Sequence, residues 1–212
     1  MSSVGLIHST RLVIQTVHDV VAKANPDLEI INVLDEGLLK CLREKAYHRV
    51  GPRITALAEG LEEDGARLII VTCSSLSPYV DGMREKIKTP LIRIDGPMIQ
   101  WALKHHQSCG VVMTNPTTQV PTASLIQDVA HRLNKEVKVE YRLCDEAFER
   151  LNRGDVQGHD ALVVDAIGGL MQEVEVVLLA QISIARVIEQ VDPKIRGRVF
   201  SSLDFISKEL PQ

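Results

Sequence analysis

Val4-Gly5-Leu6-Ile7-His8-Ser9-Thr10 has a counterpart 105 residues later in Cys109-Gly110-Val111-Val112-Met113-Thr114-Asn115. Each stretch is a short apolar run that ends in polar residues, the pattern of a buried strand entering a loop. A helix-length segment, a second strand and an acidic pair follow each. These are Asn32-Val33-Leu34-Asp35-Glu36 in one half and Arg142-Leu143-Cys144-Asp145-Glu146 in the other. A third match sets Ile69-Ile70-Val71-Thr72-Cys73-Ser74-Ser75 against Val177-Leu178-Leu179-Ala180-Gln181-Ile182-Ser183. The offsets are 105 for Gly5 to Gly110, 110 for Asp35 to Asp145 and 108 for Cys73 to Gln181. Offsets so similar mark a sequence written twice.

Working outward, strands are predicted at Val4–Ile7, Glu29–Val33, Arg67–Thr72, Leu91–Ile94, Gly110–Met113, Lys138–Arg142, Val174–Ala180 and Val199–Ser201. Amphipathic stretches such as Leu12–Ala24, Arg43–Glu63 and Ala123–Asn134 lie between them. This alternation predicts an α/β protein of two pseudo-symmetric lobes, each a mostly parallel sheet flanked by helices. The first lobe is expected over 1–96 and the second over 97–197, with 198–212 packing back on the first.

The 212 residues are 45% hydrophobic and 25% charged, enough for a substantial core, with only 3% aromatic. A net charge of −4 supplies no basic field for nucleic acid. No run approaches the 18 apolar residues of a membrane span. The chain enters Val4–Ile7 without a charged leader, so a cytoplasmic location is expected. Cys41, Cys73, Cys109 and Cys144 show no zinc or disulfide spacing and are read as free thiols. Gly-rich dinucleotide and phosphate loops are missing, so no cofactor is expected.

Ligands of open α/β sheets bind beyond the carboxyl ends of the strands. The loops His8–Thr10, Cys73–Ser75, Thr114–Thr118 and Gln181–Ser183 are therefore expected to meet at a cleft between the lobes. Cys73 follows a buried strand and precedes a hydroxyl-rich loop, with a helix start expected at Ser77-Pro78. Helix amides favour a thiolate, so Cys73 is expected to ionise more easily than a free thiol. Thr114, Thr117 and Thr118 offer hydroxyls for a carboxylate, and Thr117 or Thr118 is a candidate helix cap. His8 is a candidate donor to a carboxylate or enolate oxygen. Glu36 is a further, lesser candidate. His159-Asp160 reads as a helix start with a structural role, and His105-His106 as exposed.

Gly5-Leu6-Ile7-His8-Ser9-Thr10, Leu34-Asp35-Glu36, Val71-Thr72-Cys73-Ser74-Ser75 and Leu179-Ala180-Gln181-Ile182-Ser183 together resemble the aspartate/glutamate racemase superfamily, over nearly the whole chain. The resemblance implies flavodoxin-like lobes, cofactor-independent chemistry at a carbon next to a carboxylate, and homodimers. In its racemases two cysteines face each other across the substrate, one removing the α-proton and the other returning one. Cys73 matches the first, while Ser74, Ser75, Thr114, Thr117 and Thr118 fall where the family binds carboxylates. Gln181 stands where the second cysteine is expected, so the chain resembles a one-cysteine member. A carboxamide does not ionise; it can only orient a substrate or steady enolate charge, with Ser183 or water relaying the second proton. The expected function is a racemase- or epimerase-type isomerase of a small carboxylate. The alternatives are a one-cysteine decarboxylase, thiol-dependent hydrolysis, and a small-acid binder without turnover.

Overall fold

The computed structural model describes residues 2–211 and divides into two compact units. The first runs β1 (Ser3–His8), α1 (Ile14–Ala24), β2 (Glu29–Leu34), α2 (Glu36–Arg43), α3 (Val50–Glu63), β3 (Leu68–Val71), α4 (Val80–Arg84) and β4 (Leu91–Arg93). The second runs α5 (Gly96–His105), β5 (Ser108–Met113), α6 (Gln119–Arg132), β6 (Lys138–Leu143), α7 (Asp145–Asn152), α8 (Val156–Leu170), β7 (Val176–Leu179) and β8 (Val199–Ser201). Both sheets are parallel, with strand orders β2-β1-β3-β4 and β6-β5-β7-β8. The break between the units falls at Ile94 and Asp95. The C-terminal segment differs from expectation, because β8 pairs with β7 in the second sheet and the chain rejoins the first unit only from Phe205.

Strand register measures the duplication better than the letters do. Ser3 pairs with Glu29, and Ser108 with Lys138, so the second strands are offset by 109. Asp35 therefore corresponds to Cys144, and the match of Asp35 to Asp145 is one residue out. Their local roles agree: Asp35 caps α2 by accepting the Gly37 N–H at 2.9 Å, whereas Cys144 holds the cap position of α7 without a side-chain bond.

The same offset relates the buried faces of the two long helices. Val50, Ile54, Ala58 and Leu61 of α3 correspond to His159, Val163, Ile167 and Leu170 of α8, all buried. The spacing of three and four residues lays one stripe along each helix against its sheet. Arg43–Glu63 is not one helix, as its pattern predicts; α2 closes at Arg43 and Lys45 turns the chain at φ 56°.

Gly5 and Gly110 let these helices approach their sheets. A Cβ on Gly5 would lie 2.7 Å from a methyl of Leu61, and one on Gly110 3.1 Å from Leu170. Leu61 is itself buried and has little room to retreat. Gly5→Val should lower the unfolding free energy by about 1–3 kcal/mol, the usual range for overpacking. Urea unfolding checks this, and an unchanged midpoint would show that the packing gives way freely.

Among the described residues no helix is long and apolar enough to cross a membrane.

Candidate active site

In the first unit, parallel pairing of Ile7 with Val71 continues one step further through a Thr72 N–H to Ile7 carbonyl bond of 3.0 Å. The ends of β1 and β3 thus place Ser9 beside Cys73. Beyond Cys73 the chain turns at once into a 3-10 helix over Ser74–Tyr79. The helix start is therefore at Ser74 rather than at Ser77-Pro78, and Cys73 itself holds the cap position. This puts the first amides of the turn around the sulfur.

Cys73 is half-buried. Burial pushes its thiol pKa up, and the Ser9 hydroxyl, the Ser75 N–H and hydroxyl, and the Leu76 N–H, as donors that favour the ionised sulfur, oppose that rise. Burial prevails. This overturns the expectation of an easily ionised sulfur: the thiol is the resting form, and the donors are arranged to lessen the cost of removing its proton.

His8 is fully buried, and both its nitrogens are engaged. Nε2 lies 3.0 Å from Asn32 Oδ1, and Nδ1 lies 2.9 Å from Thr72 Oγ1. Asn32 reaches on to His18 Nδ1 at 3.0 Å. Burial lowers the His8 pKa, the bond to Asn32 opposes this, and the His18 charge adds to the lowering, which keeps the ring neutral. A neutral ring donates through one nitrogen only. The Asn32 oxygen can only accept, so Nε2–H donates to it and Nδ1 is left to accept from the Thr72 hydroxyl, which also lies 3.0 Å from the Ile7 carbonyl. His8 as placed ties β1 to β2 and β3, and does not offer a donor to a carboxylate.

In the second unit, Gln181 Oε1 accepts the Thr114 N–H at 2.6 Å, the Asn115 N–H at 3.0 Å and the Thr114 hydroxyl at 3.3 Å. Three donors on one oxygen leave the carbonyl of Gln181 committed. Asn115 caps the 3-10 turn Pro116–Thr118 by accepting the Thr117 N–H at 3.1 Å and its hydroxyl at 2.9 Å, while Thr118 holds the cap position of α6 without a side-chain cap bond. Thr114 and Thr118 are buried, and Ser183 is half-buried just beyond Gln181. A groove of about 330 Å³ where β6 meets α7 and α8, lined by Arg142, Cys144, Asp145 and Asp165 among others, contains neither Cys73 nor Gln181.

Ser74 and Ser75 are buried beside Cys73. Glu36 is exposed and paired with Arg11, 2.7 Å from its Nη2. Cys41 and Cys109 are buried, and burial pushes Cys109 up to about 12, so it is no nucleophile. No group of three His, Cys, Asp or Glu residues among those described is placed to hold a metal. Two features escaped the sequence reading. One is Ser9, visible in the opening stretch as the partner of Thr114. The other is a cluster in which the exposed Arg186 and Gln190 reach in to the buried Asp160 and its neighbour His159, for which only the adjacent His159-Asp160 gave a local signal.

Two units of matching strand order, one cradling a thiol at its strand ends and the other a carboxamide, define a duplicated α/β protein with a thiol-centred site. The chain belongs to the Asp/Glu/Hydantoin racemase family, whose sequence model matches residues 5–209. No curated protein sequence matches it. Its fold is similar to a glutamate racemase from Bacillus anthracis (TM-score 0.76, 18% identity, 98% of this chain and 79% of the other). An allantoin racemase from Klebsiella pneumoniae is also similar (0.71, 14%, 99% and 86%). So is a variant of arylmalonate decarboxylase (0.62, 17%, 95% and 88%). At these identities the likeness is one of fold.

Proposed function

We propose that this protein is a cofactor-independent isomerase of the racemase or epimerase type. It moves a proton at the carbon next to the carboxylate of a small carboxylic, dicarboxylic or amino acid, with Cys73 as the acid/base. The observation that carries this reading is the ring of donors around the sulfur at the tip of β3, in a chain of this family. Ionised Cys73 takes the α-proton, its S–H bond forms, and the C–H electron pair passes to the carboxylate as an enediolate. Return of a proton to the other face of that carbon falls to water or the Ser183 hydroxyl, since Gln181 cannot supply one. Ser74, Ser75, Thr114, Thr117 and Thr118 bind carboxylate oxygens in this reading, and Gln181 holds the Thr114–Asn115 amides in place. The protein acts in the cytoplasm as a homodimer.

A second reading rests on two observations. Cys73 rests as a thiol and Gln181 is committed to backbone amides, which suits a one-cysteine lyase that protonates an enediolate after loss of CO₂. Incubation of aspartate, glutamate, hydantoins and arylmalonates in D₂O separates the two. Deuterium at the α-carbon with loss of optical purity is the expected result. Release of CO₂ from a malonate without α-exchange in any other acid would favour the lyase. Binding with neither would leave a small-acid carrier.

A further inference from the structure

Ser9 lies at the end of β1, 1% exposed, and its hydroxyl makes no hydrogen bond of acceptable geometry with any protein group. A buried hydroxyl left in that state costs free energy, so its retention calls for a state in which it is used. The register of β1 on β3 places it next to Cys73. His8, pinned on both sides by Asn32 and Thr72, fixes the residue that precedes it.

The second unit makes the corresponding bond. Thr114 stands 105 residues after Ser9 and Gln181 108 residues after Cys73, the offsets of their strands. There the Thr114 hydroxyl donates to Gln181 Oε1 at 3.3 Å. A hydroxyl at the end of the first strand thus stands beside the residue at the end of the third in both units. In the second unit the acceptor is a permanent oxygen. In the first it is sulfur, a weak acceptor as thiol and a strong one as thiolate.

We propose that Ser9 is a catalytic residue whose hydroxyl is held for the sulfur of Cys73 and bonds to it when the proton leaves. The inference rests on Cys73 being the acid/base and gives that group its principal stabilising partner. Of the donors around the sulfur, the Ser9 hydroxyl opposes the effect of burial most strongly. No covalent bond changes: the S–H proton passes to the substrate or solvent side, and an O–H···S⁻ hydrogen bond replaces an unpaired hydroxyl.

The test is the rate of Cys73 alkylation by iodoacetamide against pH, with the adduct located by peptide mass spectrometry and a thermal melt run in parallel. In Ser9→Ala the midpoint of the profile should move to higher pH, and alkylation at mildly alkaline pH should slow several-fold. The melting temperature should hold or rise, because an unpaired buried hydroxyl has been removed. Ser9→Thr, which copies Thr114, should keep the parent midpoint. A Ser9→Ala profile superposable on the parent overturns the proposal, as does a shift accompanied by a fall in melting temperature. Alkylation reads the sulfur rather than turnover. A parent-like profile beside Cys73-dependent turnover thus sinks Ser9 alone, and a shifted profile in a protein inactive on every acid sinks the isomerase reading alone.

Discussion

Cys73→Ala is expected to reduce turnover of the true substrate by about 10²–10⁴-fold, the span that general acid–base groups contribute. The fold should survive. Cys73 packs at the rim of the first core, and its removal leaves Leu76, Val71 and Ile69 in place. Cys73→Ser is the sharper variant. It keeps the size and hydrogen bonding of the side chain but replaces the thiol by a hydroxyl that does not ionise at working pH. Near-complete loss in both, with unchanged melting, would assign the chemistry to the sulfur. Activity retained in either would remove Cys73 from the reaction and with it the proposed function.

The pH profile says which half of proton transfer Cys73 performs. Its thiol pKa is raised above that of a free cysteine, first by burial. If the sulfur removes the α-proton, kcat/KM must climb as pH rises toward that value, because only the thiolate is a base. If it delivers a proton to an enediolate, the rate is flat at neutral pH and falls through the same region. The two limbs have opposite signs, so one titration distinguishes isomerase from lyase even before the substrate's stereochemistry is examined.

The strands were legible because parallel sheets buried on both faces demand apolar runs, and Leu68–Val71 or Val176–Leu179 can be little else. Their ends were legible for the same reason: Cys73 and Gln181 are where the apolar run stops. What failed depends on backbone angles or on distant partners. Lys45 adopts the left-handed region and breaks an otherwise periodic segment, although lysine has no preference for it. Thr117, Thr118 and Asn115 are all plausible caps by type, and only the turn's geometry gives the side-chain cap to Asn115 on Pro116–Thr118 and leaves Thr118 at the cap position of α6 without one. The acidic pairs after β2 and β6 invited an alignment one residue out, which register alone corrects. His8 reads as a ligand from its place at a strand end, yet Asn32, 24 residues away, and Thr72, 64 away, take both nitrogens.

Asp160→Ala is expected to cost the second unit about 3 kcal/mol, the lower end of the range for breaking a buried ion pair. The carboxylate of Asp160 is 8% exposed and accepts from His159 Nδ1 at 2.6 Å, Arg186 Nη2 at 2.6 Å and Gln190 Nε2 at 3.0 Å. The first unit carries Val50 and Gly51 at the positions of His159 and Asp160, so this polar cluster is an addition to the shared plan. Its removal strands a fully buried imidazole and loosens the hold on Ile182–Gln190. Arg186 also donates to the Ser183 carbonyl at 2.5 Å, just after Gln181. Arg186 is 41% exposed and can rehydrate, which argues for the lower figure. Burial opposes ionisation of Asp160 more than any other single influence, but the bonds from His159, Arg186 and Gln190 together outweigh it and hold the carboxyl below its usual range. A carboxylate with a lowered folded-state pKa contributes stability above its unfolded value, about 3.9, and loses it as pH falls through the folded value. The parent and Asp160→Ala should therefore differ fully at neutral pH and converge in acid. Trp101, the single tryptophan of the sequence, lies in this unit, so its fluorescence during urea unfolding follows the affected core. Equal midpoints at neutral pH would mean that the cluster contributes nothing net, and that packing at Val163, Ile167 and Leu170 alone holds α8 to its sheet.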